Sequence, residues 1–268
     1  MKLQVGKLLV TATAMGSIAA NAAVITIDSG SEAALNAIEA TFQSGLAVSV
    51  LEDFDGLGDA TAVSSSNEQD AWEATANSFS TNVGTFTLDI AGQAGGNVNN
   101  GNLMIESDQT GEFGRESLSS DDNDFWLDSN DAGQVTWSIF DNLSSTAIDF
   151  DSIGFFLSDP NDQGARLNLI YDDGTSTSEQ IDTGYSSDSL FYVTIQAAST
   201  IASASLVFEN CVDVNSCDSL DPNDGWGIDD VVIGASKDPR VNEVPEPGSI
   251  ALLALGVAGL GLARRKKA

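Results

Sequence analysis

The sequence predicts an all-β fold: an antiparallel β-sandwich of jelly-roll type, with one short N-terminal helix and a C-terminal hydrophobic helix. Three features carry that prediction. Between residues 45 and 234, apolar and polar residues alternate with period two in short runs, as half-buried strands do. Clusters of Gly, Asn and Asp separate those runs, as turns require. No Pro-rich linker interrupts the stretch, so a single domain of about 210 residues, enough to bury an adequate core, accounts for it.

The elements follow in order. Val24 to Ile27 reads as a short strand. Ser29 and Glu32 have capping-box spacing, and Leu35, Ile38 and Phe42 share one helical face, so a helix follows that Gly45 ends. Val48 to Phe54 is the first core strand. Residues 56–82 are rich in Ser, Asn and Ala with little periodicity and read as a long loop. Val83 to Ile90, Leu103 to Ile105 and Phe125 to Leu127 read as strands. Val135, Trp137 and Ile139 face one way, and Thr136 and Ser138 the other. Ile148 to Leu157 forms one long or bulged strand, with Gly154 as its irregularity. Arg166 to Tyr171, then Asp172-Asp173-Gly174, then Thr175 to Ile181, form a hairpin. Leu190 to Ile195, Ile201 to Phe208 and Trp226 to Ile233 complete the set.

The chain ends differ from this body. In residues 1–22, Lys2 and Lys7 precede a short apolar run that closes on Ala20-Asn21-Ala22. That is a secretory signal peptide with cleavage after Ala22 by signal peptidase. The acidic sandwich then occupies 23–234, a linker 235–243 and a tail 244–268. The tail opens on Val244-Pro245-Glu246-Pro247. It continues without charge from Gly248 to Ala263 and closes on Arg264, Arg265, Lys266 and Lys267. Its apolar helix spans about 24 Å at 1.5 Å per residue, against a bilayer core of about 30 Å. Such a helix anchors in the inner membrane transiently, basic end cytoplasmic and domain outside. Pro-Glu-Pro cannot continue a helix, which leaves an extended stretch for a processing enzyme to grip.

This three-part tail resembles the PEP-CTERM sorting signal of Gram-negative bacteria. The resemblance covers Val244 to Ala268. It implies processing by an exosortase-type membrane protease that recognises Pro245, Glu246 and Pro247, and delivery to the cell surface or extracellular matrix of exopolysaccharide-producing, biofilm-forming cells. A second, scattered resemblance is to jelly-roll exoproteins and carbohydrate-binding-like modules. It rests on Leu51-Glu52-Asp53-Phe54-Asp55-Gly56 near the start and on Asp224 to Gly234 at the end, with Gly154 to Leu157 and Tyr171 to Gly174 between them.

Composition narrows the chemistry. The chain has 268 residues, no histidine and two cysteines. Lack of histidine removes Ser-His-Asp and Cys-His catalysis and imidazole metal sites. Two cysteines cannot build a four-thiolate zinc centre. Between Ala23 and Glu243, 39 acidic residues face only Arg115, Arg166, Lys237 and Arg240, a net charge of −35. This surface repels nucleic acid, and it repels anionic polysaccharide unless divalent cations intervene. The acids are dispersed among alternating apolar residues, unlike those of a disordered tail.

Export places Cys211 and Cys217 in an oxidising compartment, where a small-loop disulfide is expected; the chain-entropy model gives it about 2–2.5 kcal/mol. Calcium is a candidate ligand. Asp159, Asn161 and Asp162, and again Asp221, Asn223 and Asp224, repeat Asp-Pro-Asn-Asp before a glycine, and Glu52 or Asp53 with Asp229 or Asp230 offers a second placement where the terminal strands adjoin. The same residues also make ordinary turns. Trp126 and Trp226 sit beside acidic loops and are candidate stacking platforms for sugar, with burial in the core as the other reading. The expected function is that of an exported, non-enzymatic envelope or matrix protein that meets exopolysaccharide and, through acidic turns, calcium. The alternative is a secreted glycoside hydrolase working through paired carboxylates.

Overall fold

The structure is a computed structural model that describes residues 23–57, 74–92, 102–107, 125–129, 132–144, 147–160, 165–171, 174–180, 189–211 and 225–237. They form two antiparallel sheets and one helix. The eight-stranded sheet holds β1 (Val24–Ser29), β2 (Leu46–Glu52), β3 (Ala74–Ala76), β6 (Leu103–Ser107), β7 (Phe125–Asp128), β9 (Phe150–Ser158), β12 (Leu190–Ile201) and β14 (Gly227–Ser236). The six-stranded sheet holds β4 (Ser78–Thr81), β5 (Gly84–Ile90), β8 (Gln134–Ile139), β10 (Ala165–Tyr171), β11 (Ser176–Gln180) and β13 (Ala204–Asn210). From β7 onward the chain crosses between sheets at every connection except the β10–β11 hairpin. Strand order is β1-β12-β9-β14-β7-β6-β3 in the first sheet, with β2 also on β14, and β11-β10-β13-β8-β5-β4 in the second.

The alternation seen in the sequence is what fills the space between the sheets. Val135, Trp137 and Ile139 of β8 are buried while Thr136 and Ser138 are not. A relay of aromatic rings crosses the interior: Phe54 against Phe86, Phe86 stacked on Trp137, Trp137 edge-on to Phe155, Phe155 on Phe208, and Phe208 stacked on Trp226 at 4.5 Å between centroids. These offset and edge contacts add to the apolar area removed from water. The Trp137 indole N–H donates to the Val83 carbonyl at 3.1 Å, so its one polar atom is satisfied in the core.

A second apolar cluster lies on the other side of the eight-stranded sheet. Helix α1 (Glu32–Ser44) lays Leu35, Ile38 and Phe42 over Phe156, Leu190 and Tyr192. The face is the expected one, but the start differs. Ser29 closes β1, and Ser31 is the N-cap with no side-chain cap bond; its carbonyl accepts from Ala34 and Leu35. Gly45 ends the helix, as expected.

Three further expectations change. Within the expected loop 56–82 the structure has β3 and β4, short edge strands whose register is set by β6 and β5 rather than by their own pattern. β9 is continuous through Gly154, which pairs with Thr194 and Val232. Gly154 is needed for close approach instead: a Cβ there would lie 2.6 Å from Phe42 Cε1 and from the Tyr192 hydroxyl. The register shifts fall on the neighbours of β9, between Gln196 and Ile201 and between Asp229 and Val232. Finally, β14 runs past 234 to Ser236, and the Lys237 N–H donates to the Gly45 carbonyl at 2.9 Å.

Candidate functional site

Among the described residues, an open pocket of about 270 Å³ lies where the two sheets meet, lined by Glu52, Asp53, Ser80, Thr81, Asn82 and Asn142 among others. Its construction starts at the end of β2. Glu52 pairs across the strands with Val231, a core residue, and so turns inward; it is 5 % exposed. Phe54 adopts a left-handed φ of 58° and is buried. The turn so formed lets the Phe54 N–H donate to Glu52 Oε1 at 3.0 Å. From the six-stranded sheet, the Asn82 N–H donates to Glu52 Oε2 at 2.7 Å, and the Asn82 side chain donates to the Leu51 carbonyl at 3.1 Å. One carboxylate therefore clasps the β4–β5 connection to β2.

A second carboxylate secures the far wall. Asp141, 7 % exposed, accepts backbone N–H groups from Leu143 (3.0 Å), Ser144 (2.9 Å) and Ile148 (3.0 Å). That turn presents Asn142, which donates to the Ser80 hydroxyl at 3.2 Å and the Thr81 carbonyl at 3.0 Å. The two acids titrate in opposite directions. Burial pushes the Glu52 carboxyl above its ordinary range, against the pull of the Asn82 and Phe54 N–H groups and with a push from Asp53. Burial also raises Asp141, but the bonds from Ser144, Ile148 and Leu143 outweigh it and hold the carboxyl below its ordinary range. The pocket offers mainly oxygen atoms and amides, a setting for hydrogen bonds to hydroxyl groups. It does not set two free acids face to face.

Of the residues singled out in the sequence, Glu52 and Asp53 line this pocket. β2 and β14 do run side by side. Asp229, however, pairs with Phe156 and lies on the face covered by α1, beyond the register shift at Asp230, whose φ is 44°. A bulge of this kind re-aims side chains, so Asp229 does not join Glu52 and Asp53. Asp159 follows β9 with φ 50°, and its N–H donates to the Ser189 carbonyl at 2.8 Å, extending the β9–β12 pairing by one backbone bond. Among the described residues no three acidic or cysteine side chains gather as a cation cage.

The stacking platforms are corrected. Trp126 is 0 % and Trp226 2 % exposed. Trp226 stacks on Phe208, and Gly227 lies against the Trp126 ring, where a Cβ would be 2.9 Å from Cδ1. Neither ring shows a face to a sugar: Trp226 packs in the core between the sheets and Trp126 is fully buried. Cys211 is buried at the end of β13, and no described cysteine is a free thiol. Cys217, Asn161, Asp162, Asp221, Asn223, Asp224, Ala20, Ala22, and both the Val244–Pro247 box and the Arg264–Lys267 end lie outside the described residues. Among the described residues no helix is long and apolar enough to cross a membrane. Ser80, Thr81, Asn82 and Asn142 were not singled out in the sequence; the pocket joins 52–57, 80–82 and 142 only through folding.

Fold and composition together define a class: an acidic antiparallel β-sandwich carrying a separate address at its C-terminus. Residues 243–267 match the PEP-CTERM protein-sorting motif. Proteins that carry this motif are exported, processed by exosortase and sorted to the cell surface. No curated protein matches the chain. Among solved structures, the enzymatically active domain of tailspike protein 4 of bacteriophage CBA120 aligns at 14 % identity and TM-score 0.25 over 65 % of this chain. This chain spans only 21 % of that tailspike chain. Caldicellulosiruptor saccharolyticus CBM27-1 in complex with mannohexaose aligns at 13 % identity and TM-score 0.30, covering 70 % of this chain and 97 % of that one. A mutant of Bacillus subtilis oxalate decarboxylase aligns at 14 % identity and TM-score 0.12, covering 53 % and 32 %. None of these alignments carries a functional assignment to this chain.

Proposed function

We propose that this is a non-enzymatic protein of the cell envelope or extracellular matrix that interacts with exopolysaccharide, calcium serving as a bridge where the polymer is anionic. The observation that carries the reading is the sorting motif at 243–267 joined to a sandwich domain of net charge −35. Before processing, the tail helix holds the domain on the outer side of the inner membrane; afterwards the domain is released to the surface or matrix. The non-enzymatic part is supported by the fate of the buried acids. Of the five buried acids among the described residues, Glu52 and Asp141 accept two or more backbone N–H groups and Asp151 accepts one, so these three work as clasps between loops and strands; Glu106 and Asp229 are the other two. One observation favours the hydrolase alternative: burial raises the Glu52 carboxyl, as it does in general acids. Both of its oxygens, though, already accept backbone N–H groups.

Incubating the exported protein with neutral and anionic glycans, with calcium or with chelator, separates these readings. Retention without change in glycan length is the expected outcome. Shortened glycan, lost on mutating two acids, would establish the hydrolase. A melting temperature indifferent to millimolar calcium and to chelator would remove the cation from the account.

A further inference from the structure

Rows of small hydroxyl-bearing side chains mark the outward side of the six-stranded sheet. Cross-strand register aligns its side chains in rows that run unbroken over all six strands. One row is Ser80, Thr85, Ser138, Ser205, Ile170 and Ser176. The next is Ser78, Thr87, Thr136, Val207, Asn168 and Ser178. All twelve positions are exposed or half-exposed, nine carry a hydroxyl and none is charged. In the third row Glu209 and Arg166 stand beside Gln134 and Gln180, and two carboxylates reach the second row from its margin: Asp89 accepts from the Thr136 hydroxyl and Glu209 from the Asn168 amide.

In the span 23–243, 43 of 221 residues are charged, and solvent-facing strand positions are where charge is ordinarily placed. Two full rows with no charged residue at any of their own twelve positions are therefore a departure, the two carboxylates at the margin being bonded to Thr136 and Asn168. Removing charge is what a surface needs if it is to be covered by a neutral partner, because an unpaired charge costs heavily when it loses water. The partner is not another protein surface. The rows hold no aromatic or Arg anchor, the side chains that carry protein–protein affinity. Nor is it a polyanion, which the −35 domain repels. What matches is a repeating, uncharged, hydroxyl-bearing chain. The face supplies donors and acceptors on a lattice with spacings of about 4.8 Å between strands and about 7 Å along them, roughly 24 Å across. Part of the lattice is already held in place: Thr136 Oγ1 bonds Asp89, the Ser178 hydroxyl bonds Asn168, and Asn142 bonds Ser80. Groups fixed in advance lose little entropy on binding. Ser80 also lines the pocket, so the first row leads into that recess.

We propose that the outer face of the six-stranded sheet binds an uncharged polysaccharide chain laid across the hydroxyl rows. This rests on the polysaccharide reading above and gives it a place and a ligand class. Neutral polymer is held directly there, without calcium.

The test passes the exported protein, in chelator, over insoluble cellulose, mannan and cross-linked dextran, with alginate as the polyanion. Wild type is expected to be retained on at least one neutral matrix and not on alginate, with little dependence on salt. Thr87→Lys and Ser205→Glu, of opposite charge, each weaken retention about tenfold with unchanged melting temperature, since one buried unpaired charge costs well over 1.4 kcal/mol. Ala33→Lys, on the exposed side of α1, retains full binding. If wild type binds neutral glycan and both face variants bind equally well, the face is not the site, although the protein still binds polysaccharide. Retention on alginate alone, in a parallel run with millimolar calcium in place of chelator, overturns the neutral-ligand inference and keeps the broader reading. No retention on any glycan sinks both. A dimer in solution that Thr87→Lys dissociates would assign the face to a second copy of the chain instead.

Discussion

Glu52 and Asp141 show how the same residue class does opposite thermodynamic work beside one pocket. Glu52 has a folded pKa above its ordinary 4.5, so its contribution to stability is complete below that pH and is lost as pH rises through the folded value. Asp141 lies below its ordinary 3.8, so its contribution is present above that pH and is lost as pH falls through the folded value. Denaturation at about pH 7, 4.5 and 3 therefore separates them. Wild type gains on Glu52→Gln as pH drops from about 7 to 4.5, whereas its advantage over Asp141→Asn shrinks only below about 3.8. Parallel pH profiles for the two variants would contradict the assignment. Replacing Asp141 by Ala orphans three N–H groups and costs about 1–3 kcal/mol.

At the scale of elements, three glycines rank the tightness of packing. A Cβ at Gly84, whose φ is 125°, would stand 2.0 Å from the Ser138 carbonyl oxygen, a backbone atom that cannot step aside. Gly84→Ala is expected to cost about 2–4 kcal/mol through strain and loss of β5–β8 pairing. At Gly154 the obstacles are the Phe42 and Tyr192 side chains, so Gly154→Ala costs about 1–3 kcal/mol and loosens α1 first. Gly174, with φ 80° and open space around it, pays only for its backbone, about 1 kcal/mol. Thermal melts of the three variants check the order, and an equal cost at Gly84 and Gly174 would contradict it. The hairpin around Gly174 was legible in the sequence because Asp-Asp-Gly joins two alternating runs, so local chemistry decides it. β3 and β4 were not, because Ala74-Thr75-Ala76 has no pattern of its own and is recruited by Leu103 to Ile105. Trp126 and Trp226 misled for a related reason: the acidic residues flanking them in sequence say little about which layers cover them in space. The pocket was invisible because no single segment holds more than a few of its walls. The hydroxyl rows lay half in view as the outward residues of strands already expected, such as Thr136 and Ser138, but their alignment needs the register of all six strands.

At the scale of the whole molecule, the chain divides its labour between a body and an address. The body is an acidic sandwich whose net charge of −35 makes it self-repelling, and the proposed polymer contact is assigned to its hydroxyl-bearing face. The address, at 243–267, decides where that body goes. The most direct test is the intact mass of the protein recovered from outside the producing cell. It is expected to begin at Ala23 and to end within the Val244 to Pro247 box, without the apolar segment and the four basic residues that follow. A full-length chain found in the cytosol, with Met1 and Ala268 both present, would contradict it.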